Sequence, residues 1–254
     1  MEHGFCNLAV IPMRKEPNNT SELVSQLLFG ETFDIIDTEE DRSLIKTHHD
    51  FYEGWISNKQ FISINEKELD IQKKTKKIFC AKPVTKIKQI NLTNGSISLI
   101  PVTLGATFAG YSFNIGDYGY SITREKTSYI YYRNVKHLIF TSKILLNAPY
   151  LWGGRSILGI DCSGFTQLCF RFIGVKLYRD ASQQAKQGRL INESDIKAGD
   201  LCFFSEYDSN NISHTGIYLG NEQIIHSCGK VRIDDFPLNT HKLIVIKRMF
   251  DAEK

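Results

Sequence analysis

The chain has 254 residues, 42% of them hydrophobic and 23% charged, with a formal net charge of +3. That length allows two or three small domains with sizeable cores, and the near balance of charge gives no global attraction to nucleic acid or to an anionic membrane. No apolar run approaches the ~18 residues of a membrane-spanning helix. The first residues lack a basic stretch followed by an apolar one, so no secretory signal is expected in the sequence as it stands. The location this implies is the cytoplasm, with the periplasm or the exterior left open if a signal has been trimmed away. Six cysteines, at 6, 80, 162, 169, 202 and 228, are scattered without C-x-x-C pairs. That pattern reads as reduced thiols rather than a disulfide framework, and no paired ligand spacing indicates structural zinc.

In chain order, residues 5 to about 64 read as a small β unit. Thr32–Ile36, Ser43–Thr47 and Glu53–Ser57 are short strands with partial alternation, the first two separated by the acidic break Asp37–Asp41. Tyr52-Glu53-Gly54-Trp55-Ile56 resembles the closing strand of bacterial SH3-like barrels, and Ser21–Glu31 resembles the opening segment of the same module. Residues 65–77 are charged, carry the basic run Lys73–Lys77 and lack aromatic residues, as a solvated linker would. From Ile78 to about Ile130 the text is β again, with an Asn94-Gly95 hairpin between Lys88–Leu92 and Ser96–Ile100. Further strands follow around Phe108, Phe113 and Tyr120, giving a second small barrel over 78–133. A helix is expected from about Asn134 to Asn147, stopped by Pro149. After it come a helix that starts at Cys162, a short helix near Ser182, and strands at Leu201–Phe204, His214–Leu219, Glu222–His226 and Lys242–Ile246. A helix followed by an antiparallel sheet makes 134–254 an α+β domain.

The Cys162 helix carries the most chemical information. Apolar residues at Phe165, Leu168, Cys169, Phe172 and Ile173 fall on one helical stripe, and Gly174 stands where the helix should end. Asp161 is a good N-cap, which puts Cys162 in the first turn. There the thiol meets unpaired backbone N–H groups and the positive end of the macrodipole, both of which favour the thiolate. The competing reading is a small buried hydrophobe, the usual state of a free cysteine. The polar neighbours Asp161, Ser163 and Gly164, and the Gly153-Gly154 pair that admits close backbone approach, favour the nucleophile.

His214 and His226 flank Gly220 symmetrically. A three-residue loop, Leu219-Gly220-Asn221, sets the two imidazoles opposite each other on one face. A two-residue turn alone sets them on opposite faces. Catalysis therefore expects the odd loop or a bulge. His214 is then the general base toward Cys162 and His226 the group that orients it. Either histidine taken alone is better explained as a surface or structural one, and the pair around a glycine turn, downstream of a capped cysteine, reverses that balance.

Pro149-Tyr150-Leu151-Trp152-Gly153-Gly154, Gly159-Ile160-Asp161-Cys162-Ser163-Gly164-Phe165, Gly199-Asp200-Leu201, His214–Tyr218 and Ile225-His226-Ser227 resemble, in order, the pattern of the NlpC-type cysteine peptidases. The resemblance covers about 134–250. It implies a papain-like catalytic domain behind two SH3-like barrels, the architecture of bacterial γ-D-glutamyl-L-diamino-acid endopeptidases. It further implies Cys162, His214 and His226 as the catalytic set, with Tyr150 near the oxyanion hole. Asp161 and Ser163 would recognise the free amine of L-Ala-γ-D-Glu, and Trp152 and Ser182 would line the pocket. Glu22 and Tyr52 of the first barrel would wall off the cleft. The implied substrates are murein peptides, cut between γ-D-glutamate and the diamino acid, with no metal or organic cofactor and no nucleic-acid or membrane partner. Rival expectations are a hydrolase of intact peptidoglycan with wall-binding barrels, and an inert wall-binding protein. Oligomeric state and the identity of the diamino acid are left open.

Overall fold

In a computed structural model, described over residues 2–130 and 133–251, the chain divides into two compact units, Met1–Tyr129 and Ile130–Lys254. Of the expected domain spans, Met1, Tyr131, Tyr132 and residues 252–254 lie outside the described residues. No described helix is long and apolar enough to cross a membrane, and all six cysteines are free thiols.

The first unit opens with seven strands: β1 (Glu2–Phe5), β2 (Val10–Arg14), β3 (Leu23–Leu28), β4 (Thr32–Glu39), β5 (Arg42–Thr47), β6 (Glu53–Ser57) and β7 (Ile62–Ile64). They form one antiparallel sheet in the order β3-β2-β6-β5-β4-β1-β7. Alternating residues of these strands close a core of Cys6, Ile11, Met13, Leu27, Phe33, Ile45 and Ile56. The acidic break is tighter than expected. β4 runs on to Glu39, which pairs with Arg42, and the turn is made at Glu40, whose φ is 52°.

Residues 65–77 are not a plain linker. They hold α1 (Glu66–Lys74), started by a capping box between Asn65 and Glu68. Leu69 is fully buried, whereas Ile71 stays exposed. With so little of its surface apolar, the segment has almost no helical stripe, and the Asn-x-x-Glu spacing is its one clear local signal. The strands β8 (Ile78–Cys80), β9 (Val84–Asn91), β10 (Ile97–Thr103), β11 (Thr107–Phe108), β12 (Ser112–Ile115), β13 (Tyr118–Ser121) and β14 (Thr127–Ser128) follow. They form a four-stranded sheet, β10-β9-β13-β12, and a three-stranded one, β11-β8-β14. The β9–β10 hairpin turns through Asn94-Gly95, with Ile97 opposite Ile90.

A second core joins Phe5 of β1 and Phe29, in the turn after β3, to Leu69 of α1 and to Ile78, Val102, Phe108 and Tyr120 of the later strands. Phe29 meets Phe108 at 5.4 Å and Tyr120 at 5.3 Å between ring centroids. The two expected barrels are thus joined by this second apolar core, which is distinct from that of the first barrel.

The second unit contains α2 (Val135–Ile144), the ribbon β15 (Arg155–Ser156) and β16 (Gly159–Ile160), α3 (Cys162–Arg171) and α4 (Ala181–Gln184). Its sheet has six strands: β17 (Arg189–Ile191), β18 (Leu201–Ser205), β19 (His214–Gly220), β20 (Gln223–Cys228), β21 (Lys230–Asp235) and β22 (Lys242–Arg248). Their order is β17-β22-β18-β19-β20-β21, antiparallel throughout. α3 packs on β19 and β20, and α2 packs on α3. Phe165, Leu168, Cys169, Phe172 and Ile173 are all buried, as the stripe required, and Gly174 follows the helix with φ 73°. α2 is shorter than expected, because Leu145 and Leu146 turn out of the helix and Asn147 takes φ 66°.

One close approach ties the early strands to the later ones. Gly30 has φ +86°, and a Cβ there would lie 1.8 Å from the Thr107 carbonyl oxygen. Gly30→Ala is therefore expected to destabilise the first unit by roughly 2 kcal/mol or more, measured as a drop in thermal midpoint. An unchanged midpoint overturns this account of the junction.

Candidate active site

Asp161 caps α3 by accepting from the Gly164 N–H at 2.6 Å. Its second oxygen accepts from the Gly153 N–H at 2.9 Å. Gly164 is required because a Cβ there would come within 2.3 Å of the Gly154 carbonyl, so the Gly153-Gly154 segment lies directly against the first helical turn. Arg179, 1% exposed, grips the same carboxylate through both terminal nitrogens, at 3.0 and 2.5 Å, and also donates to Ser163 Oγ at 2.9 Å. Both Asp161 oxygens are thereby occupied. Asp161, expected beside the substrate amine, thus stands next to Cys162 already engaged by the buried guanidinium of Arg179. Ser163, buried and bonded to Arg179 and Asp161, belongs to the same network.

Cys162 sits at the start of α3 with 6% of its surface exposed. Its thiol donates to the Ser213 carbonyl at 3.8 Å, immediately before His214 on β19. The helix start does not yield a resting thiolate. Burial, reinforced by the negative charge of Asp161, pushes the thiol up to about 12, outweighing the backbone N–H groups of Thr215 and Ser163 and the charge of Arg179. Burial, with the neighbouring His226 and His241, lowers His214 to about 3. At neutral pH the resting pair is a neutral thiol and a neutral imidazole.

The hairpin realises the bulged alternative. Asn221 and Glu222, with φ 51° and 55°, form a two-residue turn, and the register shifts between Tyr218 and Gly220, leaving Leu219 as the extra residue. His226 consequently lies opposite Gly216, not opposite His214. A two-residue offset keeps both imidazoles on one face, and His214 Nε2 meets His226 Nδ1 at 2.7 Å. Gly216 makes room for this pairing, since a Cβ there would lie 2.9 Å from that of His226.

The next strand extends the chain of contacts. His226 is paired with Arg232 in register, and Asp234 stands two residues further on the same face of β21. His226 Nε2 meets Asp234 Oδ2 at 2.9 Å, and Arg232 Nε donates to the same oxygen at 2.7 Å. Burial alone would raise the Asp234 carboxyl. The hydrogen bonds from His226 and Arg232 overcome that and hold it below its ordinary value. Burial lowers His226 despite the opposing carboxylate.

Tautomers follow from these bonds. A carboxylate only accepts, so His226 Nε2 carries hydrogen and its Nδ1 is the acceptor. His214 Nε2 must then donate, which leaves a lone pair on His214 Nδ1. That nitrogen makes no hydrogen bond among the described residues. His241 stacks on the outer face of His214, with centroids 4.9 Å apart and planes at 23°.

Asp234, Arg232, Arg179 and His241 were missed from sequence. The first two lie on a strand, Lys230–Asp235, in a stretch where no element is expected from sequence, and the others carry no local motif. Tyr150 is half-buried, and burial together with the nearby Cys162 and Asp161 raises its phenol well above the usual range, keeping the O–H a donor. Trp152 is 60% exposed, and Ser182 is exposed on α4. Glu22 and Tyr52 belong to the first unit. Glu22 is exposed and lies 3.6 Å from Lys15, and Tyr52 packs on the barrel core.

Residues 147–246 match the NlpC/P60 family, and residues 13–61 match the bacterial dipeptidyl-peptidase Sh3 domain. A gamma-D-glutamyl-L-lysine dipeptidyl-peptidase of Bacillus cereus is 29% identical over 248 residues, covering 87% of this chain and 72% of that protein. A protein of the same name from Bacillus subtilis is 45% identical over 91 residues, 35% of this chain and 31% of its own length. A crystal structure of an NlpC/P60 family protein from Bacillus cereus has the same fold, with a TM-score of 0.81 at 20% identity over 97% of this chain and 99% of that one. Family match, fold and the placement of Cys162 against the histidine strand agree: this chain carries a domain of the NlpC/P60 cysteine peptidase family behind a bacterial dipeptidyl-peptidase SH3 domain.

Proposed function

We propose that the protein is an endopeptidase of small murein peptides, cutting between γ-D-glutamate and the diamino acid of stems with a free N-terminal L-Ala and releasing L-Ala-γ-D-Glu. The observation that carries the chemistry is the Asp234–His226–His214 series, which leaves the lone pair of His214 Nδ1 beside the strand end that touches Cys162. Support for the substrate class comes from the two dipeptidyl-peptidases named above. A free L-Ala amine exists only once the stem has left the sugar chain, so this reading favours recycling of wall fragments inside the cell.

In this mechanism the Cys162 sulfur attacks the scissile carbonyl carbon while His214 Nδ1 takes the thiol proton, so charge separates only when substrate is in place. The carbonyl oxygen becomes an oxyanion. It receives the Cys162 N–H, which has no intrahelical acceptor at a helix start, and the protonated Tyr150 phenol. As the C–N bond breaks, His214 returns the proton to the departing amine. Water then attacks the thioester with His214 again as base, restoring the thiol. His226 and Asp234 hold the ring in the tautomer that each step needs.

Incubation with L-Ala-γ-D-Glu-meso-diaminopimelate, or its lysine counterpart, is expected to release L-Ala-γ-D-Glu. Cys162→Ala should lower the rate by roughly 10⁴-fold or more. Muramyl-linked stems should be left intact. Cleavage of those stems points instead to a hydrolase of intact wall, and no release from any of the three ends the proposal.

Asp234→Ala is expected to reduce kcat by about 10-fold or more with little change in KM. A change confined to KM would contradict the orienting role.

Alkylation gives a test of the resting state. With the thiol raised to about 12, the thiolate fraction is small at neutral pH and grows as pH rises. Cys162, followed by peptide mass spectrometry, should therefore react with iodoacetamide at pH 7 more slowly than a free thiol of pKa about 8.5. A rate plateau below that pH would mean an ion pair already formed.

A further inference from the structure

The first unit holds a second cluster of imidazoles, remote in function from the peptidase chemistry. His3 on β1 lies opposite Asp34 on β4, and His48 follows the end of β5. His3 Nδ1 and His48 Nε2 converge on one oxygen, Asp34 Oδ1, at 2.7 and 2.8 Å. The three candidate ligand atoms all lie within 4.8 Å of one another.

The outer ring nitrogens are also engaged. His3 Nε2 meets Glu66 Oε2 at 2.7 Å, and His48 Nδ1 meets Thr32 Oγ1 at 2.8 Å. Histidines that ligate metals typically have this construction, in which an outer carboxylate or hydroxyl fixes each ring while the inner nitrogen faces the ion.

We propose that His3, Asp34 and His48 form a binding site for a divalent transition cation of the zinc class. Two imidazoles and one carboxylate suit zinc, cobalt or nickel, whereas magnesium and calcium require mostly oxygen. Metal–nitrogen bonds of about 2.0–2.1 Å need the inner atoms to separate by a fraction of an ångström, which side-chain rotation supplies.

Protons balance. Without an ion, the His3 nitrogens face carboxylate oxygens of Asp34 and Glu66, and His48 donates through Nε2 while accepting from Thr32. On binding, His3 releases the Nδ1 proton to solvent and keeps its bond to Glu66. His48 moves its hydrogen to Nδ1 and donates to Thr32 Oγ1. Asp34 ligates as the carboxylate, and water fills the remaining position. The partial exposure of Asp34 and His48, 25% and 18% of their side chains, gives the ion a way in. A bound ion would clamp β1, β4, the β5–β6 loop and the start of α1 together.

The test uses the full chain with Cys162→Ala, which removes the active-site thiol as a competing ligand. Zinc titrated by calorimetry should bind at one site per chain, and the bound form should melt at a higher temperature. Cobalt should give ligand-field absorption without a thiolate-to-cobalt charge-transfer band. His48→Gln should weaken zinc by about 10-fold or more. Glu66→Gln, at a side chain 76% exposed, should weaken it by about 10-fold through the outer contact alone. Unchanged affinity in both variants, a thiolate band with cobalt, or no binding of zinc, cobalt or nickel overturns the proposal and leaves the cluster as an ionic clamp.

Discussion

The catalytic unit depends on one buried carboxylate. Asp161 caps the Cys162 helix, holds the Gly153 turn against it and accepts both arms of Arg179. Each bond draws a different segment toward the same point: the loop before the β15–β16 ribbon, the first turn of α3, and the loop before α4. Removing one partner of a buried pair of this kind costs about 3–5 kcal/mol, because the other charge is left without solvent. The position of the Cys162 sulfur is therefore set by electrostatics as well as packing.

The second constraint is a register. The extra residue at Leu219 turns a two-residue hairpin that would separate the histidines into one that aligns them. The same parity continues into β21, where it brings Arg232 and Asp234 beneath His226. Polarity then passes from a half-exposed carboxylate through two buried rings. Each ring is kept neutral by burial, and its tautomer is set by the neighbour that accepts from it. The electrostatics explain how a cysteine peptidase site can rest uncharged. Burial of both thiol and imidazole favours their neutral forms over the ion pair.

Much of this was legible in the amino-acid sequence. The Asp161 cap, the apolar stripe of α3, the Gly174 stop, the Asn94-Gly95 hairpin and the strand at Leu201–Phe204 are local patterns, and local patterns survive folding when burial agrees with them. The helix at Glu66–Lys74 was passed over because its one buried leucine gave no periodicity, although its Asn65–Glu68 capping box was written in the chain. The core that joins the two expected barrels through Phe5, Phe29, Phe108 and Tyr120 had no local signature, since each strand alternates in the same way whichever neighbour covers it.

By itself, then, the sequence determined the elements that bear Cys162, His214 and His226, because caps, stripes and turn residues act over a few positions. Only the tertiary structure decided the state and company of those groups. Whether a thiol beside a helix start is ionised depends on how much water is removed from around it. Whether two histidines share a face, or His3 meets Asp34 and His48, depends on strand register. Both are properties of the packed chain, and neither can be written in any short run of residues.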